Sequence, residues 1–517
     1  MVGTLWAFVP AVIAIILALV TKQVYVSLFL GIFVGAMMYA GGDILKAMFT
    51  LFQVMSEKVG GNTPIIVFLV VLGILVVLMQ KSGGAKAYGD WAGKKIKTKG
   101  GALAATSALG CLIFVDDYFN CLTVGSVMRP VTDKFKVSRA KLAYIIDATA
   151  APVCIIAPIS SWAAAVAGEL EGDGLMVFIS TIPFNVYALL TLVMVFALCF
   201  VKFDFGKMKK CEDIAESTGD LHAGATEDAE DNSSDIKVNP NGKVRHLIIP
   251  VIILILCCIG GMIYTGFFYN WGTGLIDTSL QSANVIEAFS NCDAGMSLAI
   301  GSTIALFIIS IYYMIAGVVS FKEITGSFTD GFKAMVPAIL ILTFAWSISG
   351  IMGAKGGYLD AQAFVEANLA NSAFPQFLFP AIFFILAGAI AFATGTSWGT
   401  FGVLVPIAVT ILGGSGTLTI LTVSATLGGA VFGDHISPIS DTTILASAGA
   451  QCNHVNHVNT QLPYAALVAV IAAVAYVVAG LCASLGGVLC CAIMWVCALI
   501  LFALAVLVLK IRAKKAA

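Results

Sequence analysis

Long apolar runs, separated by short polar stretches, dominate the chain. A helix that crosses a lipid bilayer needs about 20 predominantly apolar residues. Two stretches that are long enough, 140–170 and 417–449, are interrupted by polar residues. Uninterrupted runs of suitable length lie at 4–21, 24–41, 63–82, 176–202, 246–268, 294–319, 334–353, 463–483 and 488–509. The pattern predicts an all-α integral membrane protein with about eleven transmembrane helices.

The composition agrees with a membrane protein and excludes other classes. Of the 517 residues, 59% are hydrophobic and only 11% are charged, whereas about 25% of a typical soluble domain is charged. The net charge of −1 gives no attraction to a polyanion. We therefore expect membrane lipid around the protein and no nucleic-acid partner.

The basic residues indicate how the chain is oriented. Lysine and arginine collect in the cytoplasmic loops of membrane proteins. With the clusters placed in the cytoplasm, the N-terminus lies outside and the C-terminus inside. The clusters lie at 81–99, 129–141, 202–210, 237–245 and 510–515.

The segment 206–245 differs from the rest of the chain. It contains nine acids and six basic residues within 40 positions. So many charges and so few apolar residues are typical of a solvated segment that cannot bury a core of its own. We expect a cytoplasmic charged linker that packs loosely between two membrane parts.

Two apolar segments are predicted to enter the membrane and return. The segment 101–131 has basic clusters on both sides, so both of its ends lie in the cytoplasm. Its tip falls at Val115–Asn120, and each arm of about 14 residues spans about 21 Å, which reaches only the bilayer middle. The segment 376–411 is predicted to enter likewise from outside, with its tip near 393–398. These segments add two re-entrant hairpins to the transmembrane helices.

The order of elements recurs along the chain. Residues 1–205 and residues 246–485 each contain an apolar helix, a hairpin and a broken helix, and Pro-Ile-Ser occurs in both broken helices, at 158–160 and 438–440. The charge pattern starts the first part outside and the second inside, which predicts two inverted repeats. Inverted repeats with discontinuous helices are typical of secondary transporters, whose site lies at the repeat interface near the midplane. The alternative to a repeat is that the two parts match by chance. Residues 486–517 follow the second part and are predicted to form an extra C-terminal helix and a basic tail.

Five acids fall at the predicted membrane depth, where the sequence places no lysine or arginine. A charge at the bilayer centre costs at least about 2.5–3.5 kcal/mol, so these carboxyls are protonated or share cations. A cation/proton exchanger needs both states, and Asp117, Asp147 and Asp441 are our candidate sodium ligands and switching groups. Helix capping is the alternative role. The five are Asp116, Asp117, Asp147, Asp434 and Asp441.

Neutral oxygen ligands surround these acids in the sequence. Hard cations such as Na⁺ prefer oxygen, and prolines and glycines in the broken helices free backbone carbonyls. His435 could relay protons or could be a neutral histidine bonded to a carbonyl. His454 and His457 are expected in a short cytoplasmic loop, in a structural or pH-sensing role. The candidate hydroxyls include Ser160, Ser161, Thr396, Ser397, Ser437, Ser440, Thr442 and Thr443.

Several motifs resemble one known family. The run Gly433–Thr443 (GDHISPISDTT), followed by Cys452–Val458 and Gln461–Tyr464, resembles the NhaC family of sodium/proton antiporters. Val115–Asn120 and Ala157–Trp162 are similar to first-half motifs of that family. The resemblance implies two inverted repeats, a homodimer and sodium/proton exchange at the bacterial inner membrane. Carried over by motif, the implied site residues are Asp116, Asp117, Asn120, Asp434, His435, Ser437, Ser440 and Asp441.

The expected function is a secondary active transporter that exchanges Na⁺ and H⁺ by alternating access. We expect no enzyme activity and no cofactor apart from Na⁺ and H⁺ as transported or coupling ions. No phosphate-binding loop is present to use ATP. The alternative is a Na⁺- or H⁺-coupled transporter or exchanger of a small amino acid or organic acid, because the resemblance does not fix the solute. Trp162 and Trp398, at equivalent places in the two parts, would then hold a solute between their rings or simply pack.

Overall fold

A computed structural model describes residues 2–516 apart from 22, 171–173, 202, 225–237, 271–274, 277–280, 283, 285–287, 289–291, 353–357, 362, 365–374, 414–415 and 439. Most of the described residues are helical. Within the described part of the chain, six helices are long and apolar enough to cross a membrane. A seventh span is formed if the bent pair Gly174–Phe184 and Val186–Phe200, which meet at 49°, is counted as one. The chain is therefore a multi-pass membrane protein by length and composition.

Twelve helices of the described chain precede the linker, and a thirteenth lies within it. Two short 3-10 helices, Leu5–Phe8 and Ile182–Phe184, adjoin them. In chain order the α-helices are α1 (Val9–Thr21), α2 (Val24–Tyr39), α3 (Ile44–Gly61), α4 (Thr63–Lys81), α5 (Gly84–Lys95), α6 (Lys99–Leu112), α7 (Asp117–Lys134), α8 (Arg139–Ala148), α9 (Ala151–Cys154), α10 (Ser161–Gly168), α11 (Gly174–Thr181), α12 (Val186–Phe200) and α13 (Gly206–Thr218).

Nine further helices of the described chain follow the linker. Two-residue strands, Tyr269–Asn270 and Leu275–Ile276, pair antiparallel after the first of them. The 3-10 helices Gln376–Leu378 and Ala483–Leu485 also lie in this part. The α-helices are α14 (Arg245–Phe268), α15 (Ala294–Ile315), α16 (Phe321–Met352), α17 (Phe379–Thr394), α18 (Ser397–Leu412), α19 (Thr417–Ile436), α20 (Asp441–Ala450), α21 (His454–Cys482) and α22 (Gly487–Ala516).

The apolar runs account for the spans but not for every helix. Five predicted runs, at 63–82, 246–268, 294–319, 463–483 and 488–509, fall in helices that meet the length and composition of a span. Helices α3 and α5 lie outside every predicted run, and α16 begins thirteen residues before its run. The total of eleven crossings stays a prediction.

The helix breaks fall at the predicted hairpin tips and polar stretches. α6 and α7 are separated by 113–116, and α17 and α18 by Gly395 and Thr396. Gly395 has φ of +69°, a left-handed conformation that glycine adopts without steric cost. Each Pro-Ile-Ser serine begins a helix: Ser160 caps α10 and Ser440 caps α20. The order of hairpin helices and broken helix thus recurs, while the inverted repeat itself stays a prediction.

The two membrane parts meet backbone to backbone where α7 packs against α20. A methyl group on Gly125 of α7 would collide with the backbone of Gly449 of α20. In turn, a methyl on Gly449 would lie 2.6 Å from the Cys121 carbonyl oxygen. Only glycine allows this approach, because backbone atoms cannot move aside as a flexible side chain can.

Gly125→Ala is expected to destabilise the protein, because overpacking a rigid contact costs at least about 1–3 kcal/mol. The measurement is thermal unfolding of the purified protein in detergent. Gly60→Ala is the matched control, because Gly60 is also helical and a methyl there meets nothing within 4 Å. Equal unfolding temperatures for Gly125→Ala and Gly60→Ala would show that the two membrane parts do not meet closely here.

The first part of the linker is packed, not loose. The side chain of Glu212 on α13 is buried, and its carboxylate accepts from the Ser138 backbone N–H at 2.8 Å. Lys99 Nζ lies 2.8 Å and Lys141 Nζ 3.6 Å from the same carboxyl group. Lys141 also pairs with Asp204 at 2.7 Å. The expectation of loose packing is therefore wrong for 206–218, because these donors compensate the burial of the charge; residues 225–237 lie outside the described chain.

The charge of Glu212 makes this docking depend on pH. Burial would raise the pKa of Glu212, but the ammonium groups of Lys141 and Lys99 outweigh burial and hold it below the ordinary glutamate value. A lowered pKa in the folded state stabilises the fold above the unfolded pKa of about 4.3. That contribution is lost as the pH falls below about 4.3 and through the lower folded-state pKa.

Glu212→Gln is expected to lower stability at pH 7 by about 3 kcal/mol, since it removes one partner of a buried ion pair. The difference from the wild type should shrink when unfolding is measured below pH 4. Asp213→Asn is the control, because Asp213 lies on the same helix in an exposed pair with Lys209, and such pairs contribute at most about 1 kcal/mol. An Asp213→Asn loss as large as that of Glu212→Gln would contradict the assignment.

Candidate functional site

Asp147, near the end of α8, is the most enclosed candidate acid. Its side chain is 0% exposed. Oδ2 accepts from Gln461 Nε2 at 2.7 Å and from Thr443 Oγ1 at 3.0 Å, and His457 Nε2 lies 3.4 Å away. Oδ1 is buried without a hydrogen-bond partner among the described residues. We call Asp147, Thr443, His457 and Gln461 the Asp147 cluster.

The Asp147 cluster joins the two membrane parts. Asp147 belongs to the first part, whereas its partners lie on α20 and α21 of the second. His457 and Gln461 are four residues apart on α21, so they share one face of that helix. Thr443 lies in the first turn of α20, whose N-terminus Ser440 caps. A first-part carboxylate is thus enclosed by second-part donors.

Asp434, at the end of α19, forms a second polar cluster nearby. Its Oδ2 accepts from Ser397 Oγ and from Thr442 Oγ1, both at 3.0 Å. Ser397 begins α18, and Thr442 lies in the first turn of α20. Thr443 Oγ1 lies 3.3 Å from the Asp434 carbonyl oxygen as well as 3.0 Å from Asp147 Oδ2. The Thr443 hydroxyl therefore links the two clusters.

His435 contacts the same network through both its ring and its backbone. Its Nδ1 lies 3.0 Å from the Tyr187 hydroxyl, and its carbonyl oxygen accepts from Gln461 Nε2 at 2.6 Å. Among the described residues, the buried Nε2 has no hydrogen-bond partner. The ring thus contacts a hydroxyl, and a role in proton relay stays a prediction.

Asp117 lies in a separate, aromatic environment. It begins α7, it is buried, and its Oδ2 accepts from Trp162 Nε1 at 3.0 Å. The centroids of the Trp162 and Trp398 rings are 5.7 Å apart, and Phe401 packs against both. The two indoles therefore pack on each other in this arrangement. Asp116, the preceding residue, is also buried.

Four predicted site residues satisfy backbone groups at the helix breaks. Asn120 Nδ2 donates to the carbonyls of Gly110, Ile113 and Thr149 at 2.7–3.0 Å. Ser437 Oγ donates to the Phe392 carbonyl at 2.7 Å. These bonds, and the caps of Ser160 and Ser440, replace bonds that a broken membrane helix loses. By contrast, the buried hydroxyls of Ser161 and Thr396 have no hydrogen-bond partner in the described chain.

The sodium assignment to Asp117, Asp147 and Asp441 stays a prediction. Asp441 is the first residue of α20, and its side chain lies outside the described residues. No group of three His, Cys, Asp or Glu side chains in the described chain is arranged to hold a metal ion. Any site for Na⁺ among those residues would therefore combine one or two carboxylates with hydroxyl and carbonyl oxygens.

The sequence reasoning missed part of the Asp147 cluster. His457 was expected in a short cytoplasmic loop, but it lies in the first turns of α21 and is 0% exposed. Gln461 was not a candidate site residue. The four-residue spacing of His457 and Gln461 in an otherwise apolar helix was the available signal. Thr443 was named among the hydroxyls near the acids.

Comparisons with known proteins identify the family of the chain. The family model described as the Na⁺/H⁺ antiporter family matches residues 164–481. An uncharacterised protein of Haemophilus influenzae is 39% identical over 92% of this chain and 91% of its own length. A malate-2H⁺/Na⁺-lactate antiporter of Bacillus subtilis is 31% identical over 34% of this chain and 37% of its own length. The chain also matches the crystal structure of the Alcanivorax borkumensis YdaH transporter. The match covers 90% of this chain and 98% of the transporter chain, with 15% sequence identity and a TM-score of 0.47.

Proposed function

This chain belongs to the Na⁺/H⁺ antiporter family, and from that premise we propose that it exchanges Na⁺ for H⁺ across the bacterial cytoplasmic membrane. Membership confirms the resemblance to the NhaC family indicated by the motif Gly433–Thr443. The chain is a secondary transporter and a multi-pass membrane protein. The direction of exchange, alternating access and the acids that carry the ions are parts of the proposal.

The enclosure of Asp147 is the observation that carries this proposal. A fully buried carboxylate is costly as a free anion, so it is stable only when a proton or cation neutralises it. Its described partners are a threonine hydroxyl, a glutamine amide and a histidine, and include no lysine or arginine. A permanent basic partner would fix the charge, whereas this environment supports exchange between a bound proton and a bound Na⁺.

The division of the Asp147 cluster between the two membrane parts supports alternating access. Asp147 lies on α8, while Thr443, His457 and Gln461 lie on α20 and α21. If the two membrane parts rock against each other, Asp147 moves away from these donors and becomes exposed to water on one side of the membrane. Burial favours the protonated acid, and contact with water and Na⁺ favours the ionised one. The same motion would thus change which ion is held.

The experiment is ion exchange by the purified protein in liposomes. An imposed inward Na⁺ gradient should raise the internal pH, as read by a trapped pH-sensitive dye, and a choline gradient should not. Liposomes without protein give the background. Na⁺ and choline gradients with equal effects on the internal pH would refute Na⁺/H⁺ exchange by this chain.

A second candidate is a Na⁺- or H⁺-coupled exchanger of a small organic acid or amino acid. Three groups near the indole pair favour it, because Ser161 Oγ, Thr396 Oγ1 and Trp398 Nε1 are buried and have no hydrogen-bond partner within the described chain. The relative named as a malate/lactate antiporter transports such solutes. Because the two indoles pack on each other, a solute would have to bind beside them or separate them.

Thermal-shift measurements separate the two candidates. The purified protein in detergent would be heated with Na⁺ alone, and with Na⁺ plus each of a panel of small carboxylic acids and amino acids. A ligand that binds only the folded state raises the unfolding temperature. Stabilisation by Na⁺ with no response to any solute favours simple Na⁺/H⁺ exchange. A further rise with one solute favours the second candidate.

A further inference from the structure

Glu169 is a buried acid that the sequence analysis did not select and that lies outside the clusters described above. It immediately follows α10, and it is 8% exposed. In the described part of the chain neither of its carboxylate oxygens has a hydrogen-bond partner. A methyl group on Gly402 of α18 would lie 3.6 Å from Glu169 Oε1. The carboxyl group therefore faces the interior, where α10 meets α18.

A nitrogen and a carbon are the described atoms that lie closest to the residue before Glu169. A methyl on the preceding residue, Gly168, would lie 3.1 Å from Trp346 Nε1 and 2.9 Å from Ile65 Cδ1. The indole N–H of Trp346 is itself buried without a hydrogen-bond partner among the described residues. An N–H group is a donor and cannot bind a cation. A hard cation would need several oxygen ligands, whereas a proton neutralises a carboxyl group that has no hydrogen-bond partner in the described chain.

Few charged groups face Glu169 from the elements around it. Helices α10, α11 and α18 contain no acidic or basic residue, and the basic residue of α4, Lys81, lies at the opposite end from Ile65. Lys58 of α3 acts on Glu169 through charge, but it is exposed and makes no ion pair with it among the described residues. Asp293 caps α15 near Pro64.

The remaining charged residues belong to α16 or directly follow Glu169 in the chain. The charged residues of α16, Lys322, Glu323, Asp330 and Lys333, all precede Trp346 by at least thirteen positions. Glu171 and Asp173 follow Glu169 in the chain and lie outside the described residues. Among the described residues the one nearby cation is therefore an exposed lysine, which cannot repay the burial of the Glu169 charge.

We propose that Glu169 is a second proton-binding carboxyl group, which carries protons between the outer face and the Asp117–Trp162 contact. This inference rests on the proposed function. α10 connects the two places, since Trp162 and Glu169 are seven residues apart, or about 10 Å along a helix. In the predicted orientation Glu169 lies at the outer end of α10. The buried indole N–H of Trp346, which lies beside Gly168, would be available as a donor once the carboxyl group has lost its proton.

The test compares Glu169→Gln, which cannot exchange a proton, with Glu169→Asp, which can. In liposomes Glu169→Gln should slow Na⁺-driven proton movement at least about 10-fold, because positioned proton-transfer groups contribute about 10²–10⁴-fold. Glu169→Asp should retain more activity than Glu169→Gln. Thermal stabilisation by Na⁺ should be the same in all three proteins. Glu57→Gln, an exposed acid on the same predicted outer side, should exchange like the wild type.

Infrared spectroscopy provides a readout that does not depend on transport. At pH 7 the wild type should show a carbonyl band of a protonated carboxylic acid, and this band should be weaker in Glu169→Gln. If Glu169→Gln does not fold, Glu169→Asp takes its place in the comparison with the wild type. An unchanged band, or a wild-type rate and pH profile in Glu169→Gln, would overturn the role of Glu169 while leaving Na⁺/H⁺ exchange intact. Absence of Na⁺-driven exchange in the wild type would instead refute the proposed function.

Discussion

Replacing Asp147 by asparagine is expected to reduce Na⁺-driven proton movement in liposomes at least about 100-fold, in the range lost with a positioned proton-transfer group. The amide has nearly the shape of the carboxyl group and can still accept from Thr443 and Gln461. It cannot take up a proton or balance the charge of Na⁺. The fold should be retained, because a neutral group at this position removes a buried charge and not a salt bridge with lysine or arginine.

The control for Asp147→Asn is the same substitution at an exposed acid. Asp330 lies on α16 in a partly exposed ion pair with Lys81, so Asp330→Asn should exchange ions at the wild-type rate. Thermal unfolding of both variants shows whether the fold is intact. Exchange by Asp147→Asn at the rate of Asp330→Asn would remove Asp147 from the transport mechanism.

Replacing Asp434 by asparagine is expected to raise the Na⁺ concentration for half-maximal exchange about 10- to 100-fold, as loss of a charged group near an ion does. Ser397→Ala is the matched variant, because it removes one hydrogen bond to the same Oδ2 and leaves the charge in place. Its effect on the Na⁺ requirement should be smaller, because the charge of Asp434 remains and Thr442 still donates to the same oxygen.

Helix capping gives the opposite result for Asp434. If Asp434 only satisfied hydroxyls and backbone groups around the break between α19 and α20, asparagine would replace it with little change in the Na⁺ requirement. The unfolding temperature would then fall, and it would fall by a similar amount in Asp434→Asn and Ser397→Ala. Exchange at several Na⁺ concentrations, together with unfolding temperatures, therefore decides between ion binding and capping.

The sequence predicts the broken helices well because their signals are local. Proline, serine and aspartate in Pro-Ile-Ser and Pro-Ile-Ser-Asp end one helix and cap the next, and α10 and α20 begin at these motifs. A buried position for Asp147 also follows from a local signal, since the residues on both sides of it are apolar. Such features need no knowledge of which helices are neighbours.

The contacts between distant segments could not be predicted in the same way. Asp147 and Gln461 are more than 300 positions apart, and nothing in either segment specifies that α8 meets α21. The docking of α13 was missed for a related reason. Glu212 appears in the sequence as one acid among many, and only its position against Lys99 and Lys141 makes it a buried ion pair.

Glu169 shows how a polar neighbourhood can hide a buried acid. It lies in the run Gly168-Glu-Leu-Glu-Gly-Asp173, which is typical of a solvated turn at the end of a membrane helix. The structure buries the first acid of this run against α18 and near α16. Composition in a short window therefore predicts the end of the helix but not the exposure of each residue there.

The most direct test of the account is proton release when Na⁺ binds. The purified protein in weakly buffered detergent solution, with a pH indicator, would be mixed with NaCl or with choline chloride at equal ionic strength. If Na⁺ displaces a proton from Asp147, NaCl should release protons from the wild type and far fewer from Asp147→Asn, and choline chloride should release none. No release by NaCl, or equal release from the wild type and Asp147→Asn, would contradict ion exchange at this carboxyl group.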